Sequence, residues 1–337
     1  MRDGTFPHRR TMKRAGNLFD AVVDCENLLL AFSKASRGKT DRPDRRAFAA
    51  NLTEEIEVLR TGLLDGTYPV GNYVQFTIRD PKERVITAAL FRERVLQHAL
   101  MNVCEPWFDR WMVFDTYASR RGKGQLAAVR RAREFAGRHG WFLKCDFRKY
   151  FDSIPHDGLR RMLRRKFKDA RLLGWFDRIL NTYETTPGRG LPIGNLTSQY
   201  FANLYLDGLD RKWRPYVRYM DDFVVWADDR EMLKRIRNEA RRYASDELGL
   251  AIKEEPIINR TSHGMDFLGM RVFPDSIRLS RTSRRRFQQK TRALEWMLRT
   301  GRIGEKECQA RETSLAAFAA QADSAAWRRA KMERLLA

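Results

Sequence analysis

The chain has 337 residues, with 65 Lys and Arg against 43 Asp and Glu, a formal net charge of +22 at pH 7. That length supports a large core in one elaborate domain or two or three subdomains, and the charge excess argues for a polyanionic partner. Cys25, Cys104, Cys145 and Cys308 are scattered without a Cys-x-x-Cys and the five histidines form no paired spacing, which argues against a zinc site or disulfide framework and fits a reducing cytoplasm. At the start, Arg2, Arg9, Arg10, Lys13 and Arg14 have no apolar core behind them, so neither signal peptide nor membrane span is expected. Residues 18–32 have helical spacing, with Leu18, Val22, Leu28 and Leu29 near one side. A basic loop at 37–43 leads to a second helix over 48–64, in which Leu52, Ile56 and Leu59 fall in register. The glycines at 66–71 break it, and 73–78 and 84–86 read as strands around the turn Asp80-Pro81-Lys82. From Phe91 the pattern is helical again through Val95, Leu96, Ala99, Leu100 and Val103; His98, alone among them, reads as a partly buried helix residue rather than a ligand.

A glycine-bearing basic loop at 117–124 precedes another helix, and 141–146 is an apolar strand ending in Asp146. The helix at 158–167 sets Leu159, Met162, Leu163 and Phe167 against Arg and Lys. Asp152 is expected to serve the turn Ser153-Ile154-Pro155. A helix over 197–209 buries Phe201, Leu204 and Tyr205. Residues 217–226 then form a hairpin with Asp221 and Asp222 at its tip, between β-favouring flanks. Asp228-Asp229 caps a helix over 231–248, and 249–253 is turn and strand. From Ser280 onward the chain is helical and basic: Phe287, Leu294 and Leu298 cluster, with Arg281, Arg285 and Arg292 nearly opposite.

Two adjacent aspartates repel unless a cation sits between them. A solvated Asp-Asp turn is the ordinary reading of a bare dipeptide, but here apolar flanks wedge the tip between buried strands and a second acidic strand end, Asp146, lies upstream. Three carboxylates from two adjacent strands can bridge two Mg2+ ions about 3.5–4 Å apart, the arrangement that phosphoryl transfer uses to clamp attacking and leaving oxygens. Tyr219-Met220-Asp221-Asp222 matches the Tyr-x-Asp-Asp box, and Asp146 with Phe151 matches the first palm motif. Together, in this order, the two stretches resemble the palm of a reverse transcriptase, and the resemblance runs from about Leu18 to Arg329.

The resemblance implies a set of roles. Asp146, Asp221 and Asp222 hold the metals, with the backbone carbonyl of Phe147 completing one shell; Mg2+ is the expected ion, with Mn2+ as a substitute. Arg84, with Arg79 and Lys82, grips the incoming triphosphate, and Arg120 approaches the template. Phe151 stacks beneath the sugar and excludes a 2′-hydroxyl, a role compatible with a core aromatic. Lys253 lies near the leaving pyrophosphate, Leu268 and Gly269 form the primer-grip turn, and Arg281, Arg285 and Arg292 meet duplex phosphates. Most reverse transcriptases carry Gln-Gly ahead of the helix at 197 and end that motif in Ser-Pro. This chain reads Ile193-Gly194-Asn195-Leu196-Thr197-Ser198-Gln199, with Gly194 allowing close backbone approach and Gln199 beginning the apolar stripe; both residues are expected at the nucleotide site. That form resembles the reverse transcriptases of diversity-generating retroelements, which copy a template RNA with frequent errors at adenines.

The expected fold is therefore an α+β right-hand polymerase with fingers, an antiparallel-sheet palm and a helical thumb. Residues 1–140 hold the N-terminal helices and fingers, 141–275 the palm with a finger-side helical insertion at about 159–190, and 276–337 the basic thumb. The expected activity is RNA-directed DNA synthesis from deoxynucleoside triphosphates, error-prone at template adenines. Implied partners are template RNA, the RNA/cDNA duplex and a small basic accessory protein, for a cytoplasmic protein of bacterial or phage-encoded origin, with no membrane. Alternatives are a faithful group II-like, retron or defence-associated enzyme, and a non-catalytic RNA-binding scaffold. No ribonuclease or endonuclease motif is expected after the thumb.

Overall fold

The computed structural model describes residues 13–79 and 83–324. In chain order its elements begin with α1 (Phe19–Val22), α2 (Cys25–Ser36), α3 (Pro43–Ala50) and α4 (Leu52–Leu64). The strands β1 (Tyr73–Arg79) and β2 (Glu83–Ala89) come next, then α5 (Phe91–Trp111), α6 (Gln125–Ala136) and β3 (Trp141–Asp146). Helices α7 (Tyr150–Ser153), α8 (His156–Lys166), α9 (Ala170–Leu180) and α10 (Leu196–Tyr205) precede β4 (Tyr216–Tyr219), β5 (Asp222–Ala227) and α11 (Arg230–Asp246). The remainder is β6 (Ile257–Arg260), β7 (Met265–Phe267), β8 (Met270–Val272), β9 (Ile277–Leu279), α12 (Arg281–Arg299) and α13 (Glu305–Ala320). The chain divides into two compact units assembled from interleaved segments. Unit 1 is Met1–Met112, Lys149–Asp207 and Asp246–Leu250; unit 2 is Val113–Arg148, Gly208–Ser245 and Ala251–Ala337. Among the described residues no helix is long and apolar enough to cross a membrane.

Unit 1 is mostly helical, with α2 packed along α5 and an aromatic core in which Phe108, Trp111, Phe167, Phe176 and Phe201 meet edge-on or tilted. Its first helices differ from the sequence reading. The helix expected over 18–32 is broken at Asp24, whose extended backbone and side chain, accepting from the N–H groups of Glu26 and Asn27, start a new helix. Likewise Pro43 opens α3 ahead of Phe48, and Asn51 at φ −119, ψ 39 separates it from α4. Apolar periodicity passes through such breaks because both helices bury the same side. The helix expected to reach 209 stops at Tyr205 and is followed by a short 3-10 turn, Leu209–Arg211. Asp152 lies inside α7 rather than in the turn after it. The hairpin is longer than expected, with β1 and β2 antiparallel from Tyr73↔Ala89 to Arg79↔Glu83.

Unit 2 is built on a four-stranded antiparallel sheet of order β4-β5-β3-β6. Alternation along the strands puts Phe142, Val217, Val224 and Trp226 on one face, buried with Ala128, Val129, Ala132 and Phe135 of α6 and with Met265, Phe267, Met270 and Val272 of the small sheet β7-β8-β9. Towards the Asp146 end the same face turns polar, through Lys144, Asp146, Asp222 and Tyr219. Asp229 caps α11 as expected, accepting from the N–H groups of Glu231 and Met232, whereas Asp228 accepts from Gly140 N–H. Ser280 caps α12, which packs with α13. Leu294 is buried and Phe287 half-buried, but Leu298, in the last turn, is exposed. Periodicity assigns a residue's side; it does not say how far along a helix the packing partner reaches.

Candidate active site

The chemistry-bearing residues of unit 2 lie where β3, β4 and β5 end together. Asp146 and Asp222 are direct antiparallel partners, so their side chains project from the same face at neighbouring positions. The hairpin turn is Met220-Asp221, between the partners Tyr219 and Asp222. Asp222 is thus the first residue of β5, and only Asp221 sits in the turn. Met220 takes φ +55, a left-handed conformation costly for a side chain with a Cβ and characteristic of functional turns. Phe147, just past β3, donates its N–H to Asp221 O (3.4 Å), and its buried ring packs 5.9 Å from Phe223.

Each carboxylate is half occupied. Lys144 Nζ lies 3.1 Å from Asp222 Oδ2, and Lys253 Nζ donates to Asp146 Oδ2 at 2.5 Å. Lys253 is brought there by its backbone, whose N–H donates to Asp146 O (2.9 Å). The other oxygens, Asp146 Oδ1 and Asp222 Oδ1, are buried without a hydrogen-bond partner. Burial first, then the nearby Asp146 and Asp221, push the Asp222 carboxyl up to about 7 against the pull of Lys144. Two buried acceptors on paired residues, each lacking any donor, are the deficit that a hard cation with oxygen preference removes. The residues therefore fit a divalent ion at Asp146 and Asp222. Among the described residues no three His, Cys, Asp or Glu side chains gather to hold an ion, so Asp221 does not join the pair in a ready-made shell of three.

The other predicted site residues fall in two sets. In unit 1, Ile193 O accepts from Thr87 N–H (2.8 Å) and Asn195 Oδ1 from Ala89 N–H (3.2 Å), which ties the 191–195 loop to β2. Gly194 at φ +127 lies so close to that strand that a Cβ would stand 3.0 Å from Ile86 Cγ2 and 3.1 Å from Thr87 O. Phe151 O accepts from Leu191 N–H (2.8 Å), its ring half-buried. The same loop thus joins β2, Ile193, Gly194 and Phe151, with Gln199 on the first turn of α10. Arg84 is exposed on β2; Arg79 pairs with Glu83 (3.1 Å); Lys82 lies outside the described residues. In unit 2, Arg120 Nη1 donates to Val113 O, Thr116 O and Thr116 Oγ1, so this guanidinium braces its own loop. Leu268 (φ +49) and Gly269 (φ +80) form the left-handed turn between β7 and β8, and Gln125 donates to Leu268 O. Arg281, Arg285 and Arg292 lie on α12, all three exposed.

The pattern described as "Reverse transcriptase (RNA-dependent DNA polymerase)" matches residues 79–272, more than half of the chain, and spans both carboxylate strands. The chain belongs to the reverse transcriptase family. It is similar to protein YkfC of Escherichia coli K12, 24% identical over 305 residues, covering 74% of this chain and 80% of that protein. It is also similar to the group II intron-encoded protein LtrA of Lactococcus lactis subsp. cremoris, 27% identical over 169 residues, 47% of this chain and 28% of that protein. Among solved structures it is similar to apo telomerase from Candida tropicalis, with a TM-score of 0.48 and 11% identity, covering 68% of this chain and 53% of that one. The chain therefore spans most of YkfC but under a third of LtrA.

The sequence reading of this reverse transcriptase missed the support beneath the turn. On the opposite sheet face, Arg218 is fully buried and donates to Asp210 Oδ1 and Oδ2 (both 2.6 Å) and to Met220 O (2.8 Å). Tyr216 OH donates to Asp210 Oδ1 (2.8 Å). Arg218 thereby fixes the carbonyl of the strained residue beside Asp221. A signal was present: a lone Arg between Val217 and Tyr219 in a strand with apolar neighbours must find a buried acid.

Proposed function

We propose that the chain copies a template RNA into DNA, as the reverse transcriptase of a diversity-generating retroelement. The observation that carries the polymerase reading is the pair of open oxygens, Asp146 Oδ1 and Asp222 Oδ1, on residues that are direct partners at the strand ends. Asp146 and Asp222, with Asp221 and the Phe147 carbonyl, would hold Mg2+, which when bound supplies charge neutralisation for an attacking 3′-hydroxyl and a departing pyrophosphate. Lys253, already on Asp146, adds a positive charge for the pyrophosphate, and Lys144 limits the repulsion between the carboxylates. Phe151 selects the sugar, Gly194 and Gln199 position the nucleotide, and Arg84 of the β1–β2 hairpin, with Arg79 and Lys82 in the same role, grips the triphosphate. In this reading residues 1–140 act as fingers, 141–275 as palm and 276–337 as thumb, whose Arg281, Arg285 and Arg292 meet the RNA/cDNA duplex and whose entry is the Leu268-Gly269 primer grip. A small basic accessory protein of the retroelement is the expected partner.

The mutagenic part of the reading rests on Ile193. An apolar side chain offers the templating nucleotide shape without a hydrogen bond, and losing about 1–3 kcal/mol of discrimination raises errors roughly tenfold to a hundredfold. Its half-buried place on the loop bonded to β2 supports a role in shaping a site. The likeness to LtrA favours the alternative, a faithful group II-like enzyme. Sequencing cDNA made on one RNA template separates them: wild type should misincorporate most opposite adenine and Ile193→Gln should not. Equally low error at all four bases in wild type leaves the faithful enzyme.

A further inference from the structure

In unit 1 the 191–195 loop is held by buried side chains to which the proposed chemistry gives no role. Thr87 and Ala89 lie two apart on β2, so their N–H groups leave the same edge of the strand. Both residues are buried, and each N–H therefore needs an acceptor. Ile193 O takes the first (2.8 Å), but the chain then turns away at Gly194 (φ +127), and the second is taken by a side chain, Asn195 Oδ1 (3.2 Å). The Asn195 amide is held in that orientation. Thr182 Oγ1 donates to Ile179 O (2.7 Å), so Tyr73 OH donates to Thr182 Oγ1 (2.5 Å) and its oxygen is left to accept from Asn195 Nδ2 (3.4 Å). This run of hydrogen bonds keeps Oδ1 towards β2.

Asn195 is also the residue before α10, where an Asn ordinarily accepts from the first N–H groups of its own helix. It makes no such bond. Instead Leu196 N–H, the first of α10, donates to Gln97 Oε1 of α5 (2.9 Å), and Gln97 is itself buried. One turn earlier on α5, the Glu93 carboxylate accepts from Gly71 N–H (2.9 Å) and Asn72 N–H (2.7 Å), just ahead of β1. Residues four apart share a helix face, so one face of α5 carries both the root of the hairpin and the start of α10. An Asn at this place could cap its helix, and a buried amide is costly unless its partners are met. Here the capping capacity is spent on β2. What this secures is the placement of Ile193 and Gly194 against that strand.

We propose that Gln97 and Asn195 are positioning residues of the nucleotide site, which set how closely Ile193 and Gly194 stand to β2 and so how firmly an incoming nucleotide is held. The proposal rests on the reading of the 193–199 stretch as part of that site. The test is primer extension by the full chain on an RNA template, with turnover normalised to active sites counted from a single-turnover burst. Asn195→Leu and Gln97→Met should each raise the KM for the complementary deoxynucleoside triphosphate about tenfold and leave kcat within about threefold, because the carboxylates of unit 2 are untouched. Gln97→Glu keeps an acceptor for Leu196 N–H at a helix N-terminus, where a carboxylate is favoured, and should stay within about threefold of wild type in KM. A lower Tm or fewer active sites with KM unchanged would overturn the proposal and make both amides scaffold. Gln97→Glu as impaired in KM as Gln97→Met would also overturn it, since packing and not the acceptor would then matter. The near-isosteric Gln97→Met decides the question if Asn195→Leu does not fold, and loss of folded protein in both assigns the two side chains to the fold alone. Ile193→Gln in the same assay separates the two readings. If it too leaves KM and error spectrum at wild-type values, the stretch is not at the nucleotide site and both readings fall; if it alone shifts them, only the positioning proposal falls.

Discussion

Two cation–carboxylate pairs of the four-stranded sheet, Arg218–Asp210 and Lys144–Asp222, lie on opposite faces and are built differently. Arg218–Asp210 is sealed: both side chains are fully buried, both carboxylate oxygens accept from the guanidinium or its neighbour Tyr216, and a further N–H holds Met220 O. Lys144–Asp222 is left open: one oxygen meets the ammonium, the other is buried without a donor, and the carboxyl is pushed up to about 7. A buried pair whose hydrogen bonds are complete acts as scaffold. A buried carboxylate left incomplete at a strand end is poised for a ligand. The same strand pair thus holds a brace on one side and a reactive end on the other.

Substitutions should separate the two pairs by what they destroy. The largest effect is expected on synthesis: Asp146→Ala or Asp222→Asn should lower primer extension on an RNA template by at least about a thousandfold, since metal-assisted charge stabilisation is worth several kcal/mol and each ~1.4 is a factor of ten. Binding of the primer–template should hardly change. Arg218→Met should instead act on the fold, lowering the unfolding free energy in urea by about 3–5 kcal/mol because it strands Asp210. Adding Asp210→Leu should recover part of that stability, and if Arg218→Met alone is neutral, the pair does not brace the turn.

A smaller effect concerns pH. The folded Asp222 carboxyl titrates near 7, above its ordinary 3.8. The folded state therefore holds that proton more tightly than the unfolded chain, and this contribution to stability is lost as pH rises through 7. Without divalent metal, wild-type Tm should fall between pH 5 and pH 8 more than that of Asp222→Asn, in which nothing titrates and the partly exposed Lys144 stays hydrated. Parallel curves would place the Asp222 titration elsewhere.

Much of this site was legible in the sequence because its strands obey a strong local rule. Apolar and β-branched residues flank Asp146 and Asp222, and the hairpin 73–89 alternates about a turn of Asp and Pro. Helix breaks were harder: Asp24 and Asn51 interrupt the backbone while the apolar periodicity continues. The lysine partners were not legible. Lys144 reaches Asp222 diagonally across a register that only strand pairing sets, and Lys253 meets Asp146 from 107 residues away. Nor could spacing show that Asp222 belongs to the strand and Asp221 to the turn, because that depends on Met220 accepting a positive φ, which the buried Arg218 supports.

The most direct test of the open pair is a Mg2+ titration followed by thermal unfolding at pH 8, without nucleic acid or nucleotide. A ligand that binds only the folded protein raises stability by RT ln(1 + [L]/Kd). Wild-type Tm should climb with Mg2+ while Asp222→Asn, which starts higher, stays flat. An equal rise in both proteins would contradict the claim that the open oxygens of Asp146 and Asp222 are the metal-holding end of the site.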